Sequence, residues 1–281
     1  MHEQAVDKTV LMCFCLQNCG RWTVGGDCVN YARRALLTAL YTPILLMSVG
    51  ANAGAEPRRV PLHRCAIVLF DGHELNHFDI FLKSSGLNSD PTRVFRVERG
   101  ALHISGKEVG YIITKESYRE FYLRAEFKWG VGTYGTRAGK TRDSGILYNV
   151  QGEPKVWPQS IEFQITEGGT GDFWTTDGAA LTETDGKRVE ASSGSALKID
   201  HVGKGPSQDV VGFRDSVGDL EKPHGKWNVL ELVAHGDDVK HYVNGKLANE
   251  GKDPFPAAGK ILIQSEGAEV FFRKIKLYPL K

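Results

Sequence analysis

The sequence lacks an excess of charge of either sign. Its 281 residues include 35 lysines and arginines and 34 aspartates and glutamates, for a formal net charge of +1. Binding to a nucleic-acid backbone requires a basic surface, so this balance argues against nucleic acid as a partner. The sequence also lacks a G-x-x-x-x-G-K-[ST] phosphate loop and a G-x-S-x-G nucleophile elbow, which leaves P-loop nucleotide hydrolysis and serine-hydrolase chemistry without support.

Cysteine is scarce outside the N-terminal part of the chain. Of the five cysteines, four lie close to the N-terminus, and they are Cys13, Cys15, Cys19 and Cys28. They lack the paired C-x-x-C spacing of a zinc site, so we do not interpret them as metal ligands. Beyond residue 53 only Cys65 remains, and one cysteine cannot form an intrachain disulfide.

The N-terminal region also lacks a hydrophobic run long enough for a typical membrane helix. The apolar run Ala35–Val49 contains Pro43 and is shorter than the roughly 20 residues that cross a bilayer. Arg33 and Arg34 precede it and an A-x-A sequence, Ala51–Ala53, follows it. Basic, apolar and small residues in this order are typical of a secretory signal peptide. An uncleaved N-terminal anchor is the alternative.

This pattern predicts an exported protein. We expect residues 1–53 to comprise a signal peptide preceded by an extension, because signal peptides normally begin near the initiator and a start site assigned too early would add such a segment. Residues 54–65 then form a short linker before the folded domain. Export implies a periplasmic or extracellular location, with no stable membrane insertion after the signal is cleaved.

The rest of the chain has the alternating pattern of β-strands. Phe121–Trp129 places apolar side chains on one face and polar ones on the other, and Ile161–Thr166 alternates in the same way. Three further runs between Trp227 and Asn249 predict a meander, with Asn244-Gly245 suited to a type I′ hairpin turn. No stretch has a sustained helical period. Residues 66–281 are therefore predicted to form one all-β domain, a two-sheet antiparallel sandwich, with residues 168–208 as long loops beside a site.

His73-Glu74-Leu75-Asn76-His77 matches the H-E-x-x-H pattern of zinc proteases. That chemistry requires a helix, because both histidines must project from one helical face. Asp71-Gly72 precedes the motif and strand-like segments flank it. We therefore interpret the match as coincidental and assign no metal ligands.

The strand around Glu162 carries the strongest candidates for chemistry. Residues two apart on a strand point in the same direction, so Glu162 and Gln164 share a face. Glu167 is an odd number of steps away, and a β-bulge would bring it onto the same face. Paired carboxylates can act as acid and base or as nucleophile and acid, although a solvated polar face would give the same pattern.

Other polar and aromatic residues surround this strand in the sequence. They are Arg142, Asp143, Trp157, Asp172 and Trp174. An aromatic ring offers a surface to the C–H face of a sugar, while polar side chains hydrogen-bond its hydroxyls. The combination predicts a carbohydrate-binding site.

Several short motifs occur here in an informative order. Leu69-Phe70-Asp71-Gly72 fits an opening L-F-[DN]-G-x-x-L, Asp143-Ser144-Gly145-Ile146 fits [ND]-S-G-[IL], and Glu162-x-Gln164-Ile165 fits E-x-Q-I. Between Ile67 and Leu280 the chain resembles the 3-keto-disaccharide hydrolase family, although Phe78 stands where that family usually has tryptophan. The resemblance implies a concanavalin-like lectin/glucanase jelly roll and an enzyme that acts on oxidised disaccharides or glycosides.

The substrate class implied by the resemblance permits an unusual route to glycosidic cleavage. In a 3-keto sugar, the C3 carbonyl acidifies the proton on C2, and the C1–O bond lies β to that carbonyl. A base can remove the C2 proton to give an enolate, after which the group attached to C1 leaves. Water then adds back, so the net reaction is hydrolysis.

Roles for individual residues follow from the resemblance. We assign Glu162 as the base, Arg142 as the group that stabilises the enolate, and Glu167 or Asp172 as the acid for the leaving group. A divalent cation could take the place of Arg142, and no other cofactor is expected. The expected substrate-binding residues are Gln164, Asp143, Trp157 and Trp174, with either tryptophan as the stacking platform.

Two alternative functions fit the same fold. Retaining β-glucanases with this jelly roll carry E-x-D-x-x-E, whereas this chain has Glu162-x-Gln164-x-x-Glu167. The glutamine removes the central acid of that signature and argues against a simple double displacement. A non-catalytic, lectin-like carbohydrate-binding module would need only the stacking ring and the hydroxyl-binding groups.

Overall fold

The computed structural model describes residues 65–200 and 219–281. The predicted signal peptide at 1–53 and all but the last residue of the predicted linker at 54–65 lie outside these residues, as do the first four cysteines. Within the described residues, Cys65 is exposed and unpaired. The same part of the chain contains no helix long and apolar enough to cross a bilayer.

The described chain is built almost entirely of strands, with one short 3₁₀ helix at Gly135–Arg137. The strands are β1 (Ile67–Phe70), β2 (Phe78–Leu82), β3 (Gly86–Leu87), β4 (Phe95–Glu98), β5 (Ala101–Ile104), β6 (Gly110–Thr114), β7 (Phe121–Thr133), β8 (Asp143–Val150), β9 (Ser160–Thr166), β10 (Phe173–Thr176), β11 (Ala180–Thr182), β12 (Arg188–Glu190), β13 (Ala196–Ile199), β14 (Asn228–His235), β15 (Asp238–Val243), β16 (Lys246–Phe255), β17 (Lys260–Ser265) and β18 (Ala268–Pro279).

The strands form two antiparallel sheets. The ten-stranded sheet has the order β12-β11-β16-β15-β14-β7-β18-β5-β4, with β1 also paired to β18. The eight-stranded sheet has the order β13-β10-β9-β8-β17-β6-β2-β3. Strands that neighbour in space are often far apart in sequence, as in a jelly roll. The predicted all-β sandwich is confirmed.

The alternating pattern predicted for β7 and β9 is also confirmed. On β7 the predicted inward set is buried, and it consists of Phe121, Leu123, Ala125, Phe127 and Trp129. On β9 Ile161, Phe163 and Ile165 are fully buried in the same core. The two sheets therefore pack through one apolar layer, and the residues between these positions point away from it.

Residues 168–208 differ from the long loops that the sequence predicted. Within the described part of this stretch lie four short strands, β10 to β13. β10 and β13 extend one edge of the eight-stranded sheet, while β11 and β12 extend the ten-stranded sheet. Each has three or four residues, which is too short for periodicity to stand out among glycine and threonine.

The His73–His77 segment lies in bends and turns between β1 and β2 rather than in a helix. Both histidines are exposed. The segment therefore lacks the helical face from which a zinc-protease motif presents its ligands.

One histidine is sealed inside the sandwich. His241 on β15 is fully buried, and its ring stacks on Phe163 at a centroid distance of 4.0 Å. Its Nδ1 donates to the carbonyl oxygen of Gly171 at 3.2 Å, and its Nε2 accepts from the Tyr148 hydroxyl at 3.3 Å. This pattern suits a neutral imidazole, and burial lowers the pKa of His241 to about 3.

The buried histidine makes the fold sensitive to acid. In the unfolded chain a histidine has a pKa of about 6.5, so below that pH protonation favours the unfolded state. The stability lost between pH 7 and pH 5 through His241 should be about 2 kcal/mol. His241→Gln should remove this part of the pH dependence, measured as the free energy of unfolding in urea at both pH values. His235→Gln at an exposed histidine is the matched control, and an unchanged pH dependence in His241→Gln would contradict the assignment.

Candidate active site

The polar residues of β9 lie on the side of the eight-stranded sheet that faces away from the core. Because Ile161, Phe163 and Ile165 point into the core, Glu162 and Gln164 point to the opposite side, which we call the site face. The prediction that these two side chains share a face is confirmed. The register sets Leu147 of β8 on one side of Glu162 and Trp174 of β10 on the other.

Glu162 is a buried carboxyl group without a hydrogen-bonding partner on one of its oxygens. Only 7% of the residue is exposed, and its Oε1 makes no hydrogen bond. Burial raises the pKa of Glu162 well above its usual value, and the negative charges of Glu266 and Asp143 raise it further. Such a group is a stronger base than an exposed glutamate once it has lost its proton.

Gly145 leaves open the space above the sheet between β9 and β17. It pairs with Gln164 of β9, and a Cβ atom at this position would overlap Oε1 of Glu162 and Oε1 of Gln264. The Oε1 of Gln264 is also buried without a hydrogen bond. Two unpartnered oxygens from β9 and β17, the strands on either side of β8, therefore converge on one point that only a glycine leaves free.

Asp143 lies beside this point and is tied to its neighbours. Its Oδ1 accepts a hydrogen bond of 3.0 Å from Nε2 of Gln164, and its Oδ2 pairs with the guanidinium of Arg137. Burial raises the pKa of Asp143, whereas Arg137 and Gln164 oppose that rise. Asp143, Glu162 and Glu266 are three carboxyl groups that act on one another through charge, and we call them the carboxylate cluster. The 3₁₀ helix that ends at Arg137 brings a cation to this cluster.

A second ion pair borders the cluster on the β10 side. Nζ of Lys198 on β13 lies 2.7 Å from Oδ2 of Asp172, a residue that is fully buried. Trp174 of β10 lies between Glu162 and Lys198 in the sheet register, and its indole Nε1 is buried without a hydrogen bond. A ring and an available N–H donor therefore lie next to the Glu162 carboxyl.

Trp157 lies on the apolar side of the site face. It packs against a small buried cluster made of Tyr111, Leu147, Val150 and Leu262. Trp157 also lines a cavity of about 230 Å³, and Glu266 of the carboxylate cluster contributes to the same wall. The two predicted tryptophans thus occupy different positions, Trp174 beside Glu162 and Trp157 in the cavity.

Arg142 and Glu167 form a separate ion pair. Nη1 of Arg142 lies 2.9 Å from Oε1 of Glu167, and its Nε and Nη2 donate to the carbonyl oxygens of Gly130 and Val131 on β7. His224 also contacts Glu167. Because β7 belongs to the other sheet, these contacts hold Arg142 towards the ten-stranded sheet.

The structure thus brings together five of the predicted site residues, namely Asp143, Glu162, Gln164, Asp172 and Trp174. It also adds Arg137, Lys198, Gln264 and Glu266, which the sequence had not indicated. Gln264 lies on β17, so the same rule that paired Glu162 with Gln164 could have selected it, whereas Glu266 follows the end of that strand. Arg137 and Lys198 arrive from the 3₁₀ helix and from an edge strand, where no sequence signal relates them to Glu162.

A known protein family and several solved structures are similar to this chain. A family model described as a 3-keto-alpha-glucoside-1,2-lyase-like domain matches residues 66–278. Among solved structures, a candidate glycosyl hydrolase from Parabacteroides distasonis has 21% identity and a TM-score of 0.50, with 77% of this chain and 100% of that chain covered. This similarity supports the two-sheet fold. No curated protein matches the sequence.

Two further solved structures are more distant. A laminarinase from a Flavobacterium species is 12% identical, with a TM-score of 0.45 and coverage of 76% of this chain and 99% of that chain. A family 66 carbohydrate-binding module from Bacillus subtilis is also 12% identical, with a TM-score of 0.41 and coverage of 64% and 88%.

The buried Arg142–Glu167 pair should stabilise the fold. Removing one partner of such a pair leaves an uncompensated buried charge, so Glu167→Gln should lower the free energy of unfolding by about 3 kcal/mol. Glu183→Gln is the matched control, because its pair with Lys187 lies on the surface and should contribute less than about 1 kcal/mol. Urea unfolding at pH 7 measures both. A Glu167→Gln protein as stable as the wild type but inactive would instead favour the acid role expected from the sequence.

Proposed function

The chain belongs to the 3-keto-disaccharide hydrolase family, and we propose that it cleaves the glycosidic bond of 3-keto-glycosides by elimination followed by hydration. The observation that carries this proposal is the convergence of unpartnered Oε1 atoms from Glu162 and Gln264 above Gly145. A buried polar atom without a partner costs about 1–3 kcal/mol, and a substrate that offers hydrogen-bond donors would recover it.

A sugar ring has the groups that this site lacks. Its hydroxyls both donate and accept hydrogen bonds, so they can satisfy the two oxygens above Gly145 and also the indole N–H of Trp174. Its C–H face suits the Trp174 ring. Gln164, Asp172 and Lys198 would bind further hydroxyls at the β10 side of the site.

In the proposed mechanism Glu162 is the base. Its carboxylate takes the proton from C2, and the electron pair of that bond moves to the C3 oxygen to give an enolate. When the enolate collapses, the C3 carbonyl re-forms, a C1–C2 double bond forms and the C1–O bond breaks. Water then adds to C1 while Glu162 returns its proton to C2, which completes net hydrolysis. A base with a raised pKa is better matched to a weakly acidic C–H bond.

Arg137 replaces Arg142 as the enolate-stabilising residue in this proposal. It is held in the carboxylate cluster by Asp143, whereas Arg142 is bound to Glu167 and to two carbonyl groups of β7. A preorganised cation can stabilise negative charge that develops on the C3 oxygen. Within residues 65–200 and 219–281, no set of three or more histidine, cysteine, aspartate or glutamate side chains is arranged to hold a metal ion.

The alternative functions receive less support from the same geometry. In the signature of the retaining β-glucanases the second carboxylate would be Glu167, and here Glu167 is bound to Arg142. A lectin-like module has no need of a carboxyl whose pKa is raised by its neighbours.

We also propose that the protein is exported to the periplasm or the extracellular space, because residues 1–53 have the pattern of a signal peptide.

Removing the carboxylate at position 162 should abolish turnover with little change in fold. Glu162→Gln keeps the shape of the side chain but cannot accept the C2 proton, so kcat/KM on a 3-keto-disaccharide should fall by about 10³-fold or more. Chromatography of the released sugars measures turnover, and circular dichroism checks folding. Glu190→Gln, at an exposed carboxyl on β12, is the matched control. Full turnover by folded Glu162→Gln protein would refute the base assignment.

A substrate panel separates the three functions. The proposed enzyme should cleave a 3-keto-disaccharide and leave the unoxidised parent disaccharide intact. Cleavage of native β-glucan would identify a glucanase instead. Sugar binding by calorimetry without cleavage of any substrate would identify a lectin-like module.

The pH dependence should follow the proton on Glu162. Because the base must be ionised, kcat/KM should rise with pH through the raised pKa of Glu162. The negative charge of Asp143 contributes to that rise in pKa, so Asp143→Asn should move the acid limb of the profile to lower pH, by roughly one pH unit. Asp185→Asn at an exposed aspartate is the control. A limb that stays in place or moves to higher pH would contradict the coupling.

A further inference from the structure

We propose that Glu266 is the general acid that protonates the leaving group, and that the cavity beside it binds that group. This inference rests on the proposed function and extends it to the other half of the substrate. It assigns to catalysis a residue that neither the strand pattern around Glu162 nor the family motifs indicated.

Glu266 connects the carboxylate cluster to the cavity. It lies two residues after Gln264, whose Oε1 meets that of Glu162 above Gly145. Its charge acts on both Glu162 and Asp143, and its side chain lines the cavity of about 230 Å³. A group bound in the cavity therefore lies on one side of Glu266, with the proposed base on the other.

The state of Glu266 suits an acid. Burial raises the pKa of Glu266, and the negative charge of Asp143 raises it further, while Arg137 opposes the rise. The carboxyl therefore tends to hold a proton at neutral pH, and within the described chain it forms no salt bridge that would keep it ionised.

The two acids expected from the sequence are less suitable. Glu167 pairs with Arg142 at 2.9 Å, and Asp172 pairs with Lys198 at 2.7 Å. These salt bridges hold both carboxylates against neighbouring cations, and neither residue lines the cavity that Glu266 lines. Glu266 can therefore supply the proton that Glu167 or Asp172 was expected to supply.

The cavity has the size and surface for one ring. Aromatic and aliphatic side chains form much of its wall, and they are Tyr134, Trp157, Val109 and Val156. Lys107 lies over the Tyr134 ring at 5.7 Å. Sites for drug-sized ligands usually have 300–1,000 Å³, so about 230 Å³ fits a single sugar or aryl ring as the leaving group.

Protons balance over the elimination step and the hydration step. As the C1–O bond breaks, the departing oxygen takes the bond's electron pair and the proton of Glu266, which leaves Glu266 ionised. In the hydration step the Glu266 carboxylate takes a proton from the water that adds to C1. Glu162 returns its own proton to C2, so both carboxyls end in their starting states.

Leaving groups of different basicity test the acid role. A 3-keto-disaccharide releases an alkoxide that needs a proton, whereas 4-nitrophenyl 3-keto-glucoside releases a phenolate that does not. Glu266→Gln should lower kcat/KM on the disaccharide about 10²-fold or more and stay within about threefold of the wild type on the nitrophenyl substrate. Glu162→Gln should be inactive on both substrates, and Glu190→Gln should behave as the wild type.

The possible results are distinguishable. Equal losses on both substrates in Glu266→Gln would overturn the acid role while leaving the proposed function in place. Failure of the wild type on both 3-keto substrates would overturn the proposed function and the acid role together. Selective loss on the disaccharide supports both.

Filling the cavity gives a test that does not depend on folding of Glu266→Gln. Val156 is partly buried in the cavity wall, and Val156→Phe should obstruct a ring at this position. Activity on the 3-keto-disaccharide should fall about tenfold or more, while methyl 3-keto-glucoside, whose leaving group has no ring, should be cleaved within about twofold of the wild-type rate. Equal effects on both substrates would exclude the cavity as the leaving-group subsite.

Discussion

Crowding of negative charge on one face of the eight-stranded sheet is the constraint on which the site depends. Asp143, Glu162 and Glu266 act on one another through charge, and Arg137 is the cation paired with Asp143. The three carboxyls cannot all ionise easily in a buried setting. The pKa values of Glu162 and Glu266 are therefore raised, whereas Arg137 and Gln164 oppose the rise at Asp143. Two carboxyls whose pKa values are raised by burial and by neighbouring charge suit the proposed roles of base and acid.

The apolar framework makes this crowding possible. β9 directs Ile161, Phe163 and Ile165 into the core, which fixes the opposite direction for Glu162 and Gln164. Gly145 then leaves room for the Glu162 carboxyl and for Gln264 at one point of the sheet. A side chain at position 145 would displace those oxygens, and a one-residue change of register in β9 would turn Glu162 into the core. The packing of the core and the register of β9 thus determine the geometry of the site.

Sequence reasoning reached those parts of the site that follow from local periodicity. The period of two predicted the buried faces of β7 and β9 and the shared face of Glu162 and Gln164. Arg142 and Asp143 are adjacent in the sequence, yet neighbouring residues of an extended chain point in opposite directions. Asp143 therefore reaches the site face, whereas Arg142 binds the carbonyls of β7. Arg137, Lys198 and Glu266 depend on the tertiary placement of the 3₁₀ helix, of β13 and of the bend after β17, which no local pattern specifies.

The glutamine at position 164 can be understood from the same electrostatics. In the related E-x-D-x-x-E pattern an aspartate would occupy this position. Here Nε2 of Gln164 donates to Oδ1 of Asp143 at 3.0 Å, which helps to hold Asp143 ionised and oriented. An aspartate at 164 would remove that donor and add a fourth carboxyl to the cluster, where Arg137 and Lys198 are the cations whose charge acts on Asp143 among the described residues. The neutral amide therefore keeps a further negative charge away from Glu162, which fits the role of base that we propose for this residue.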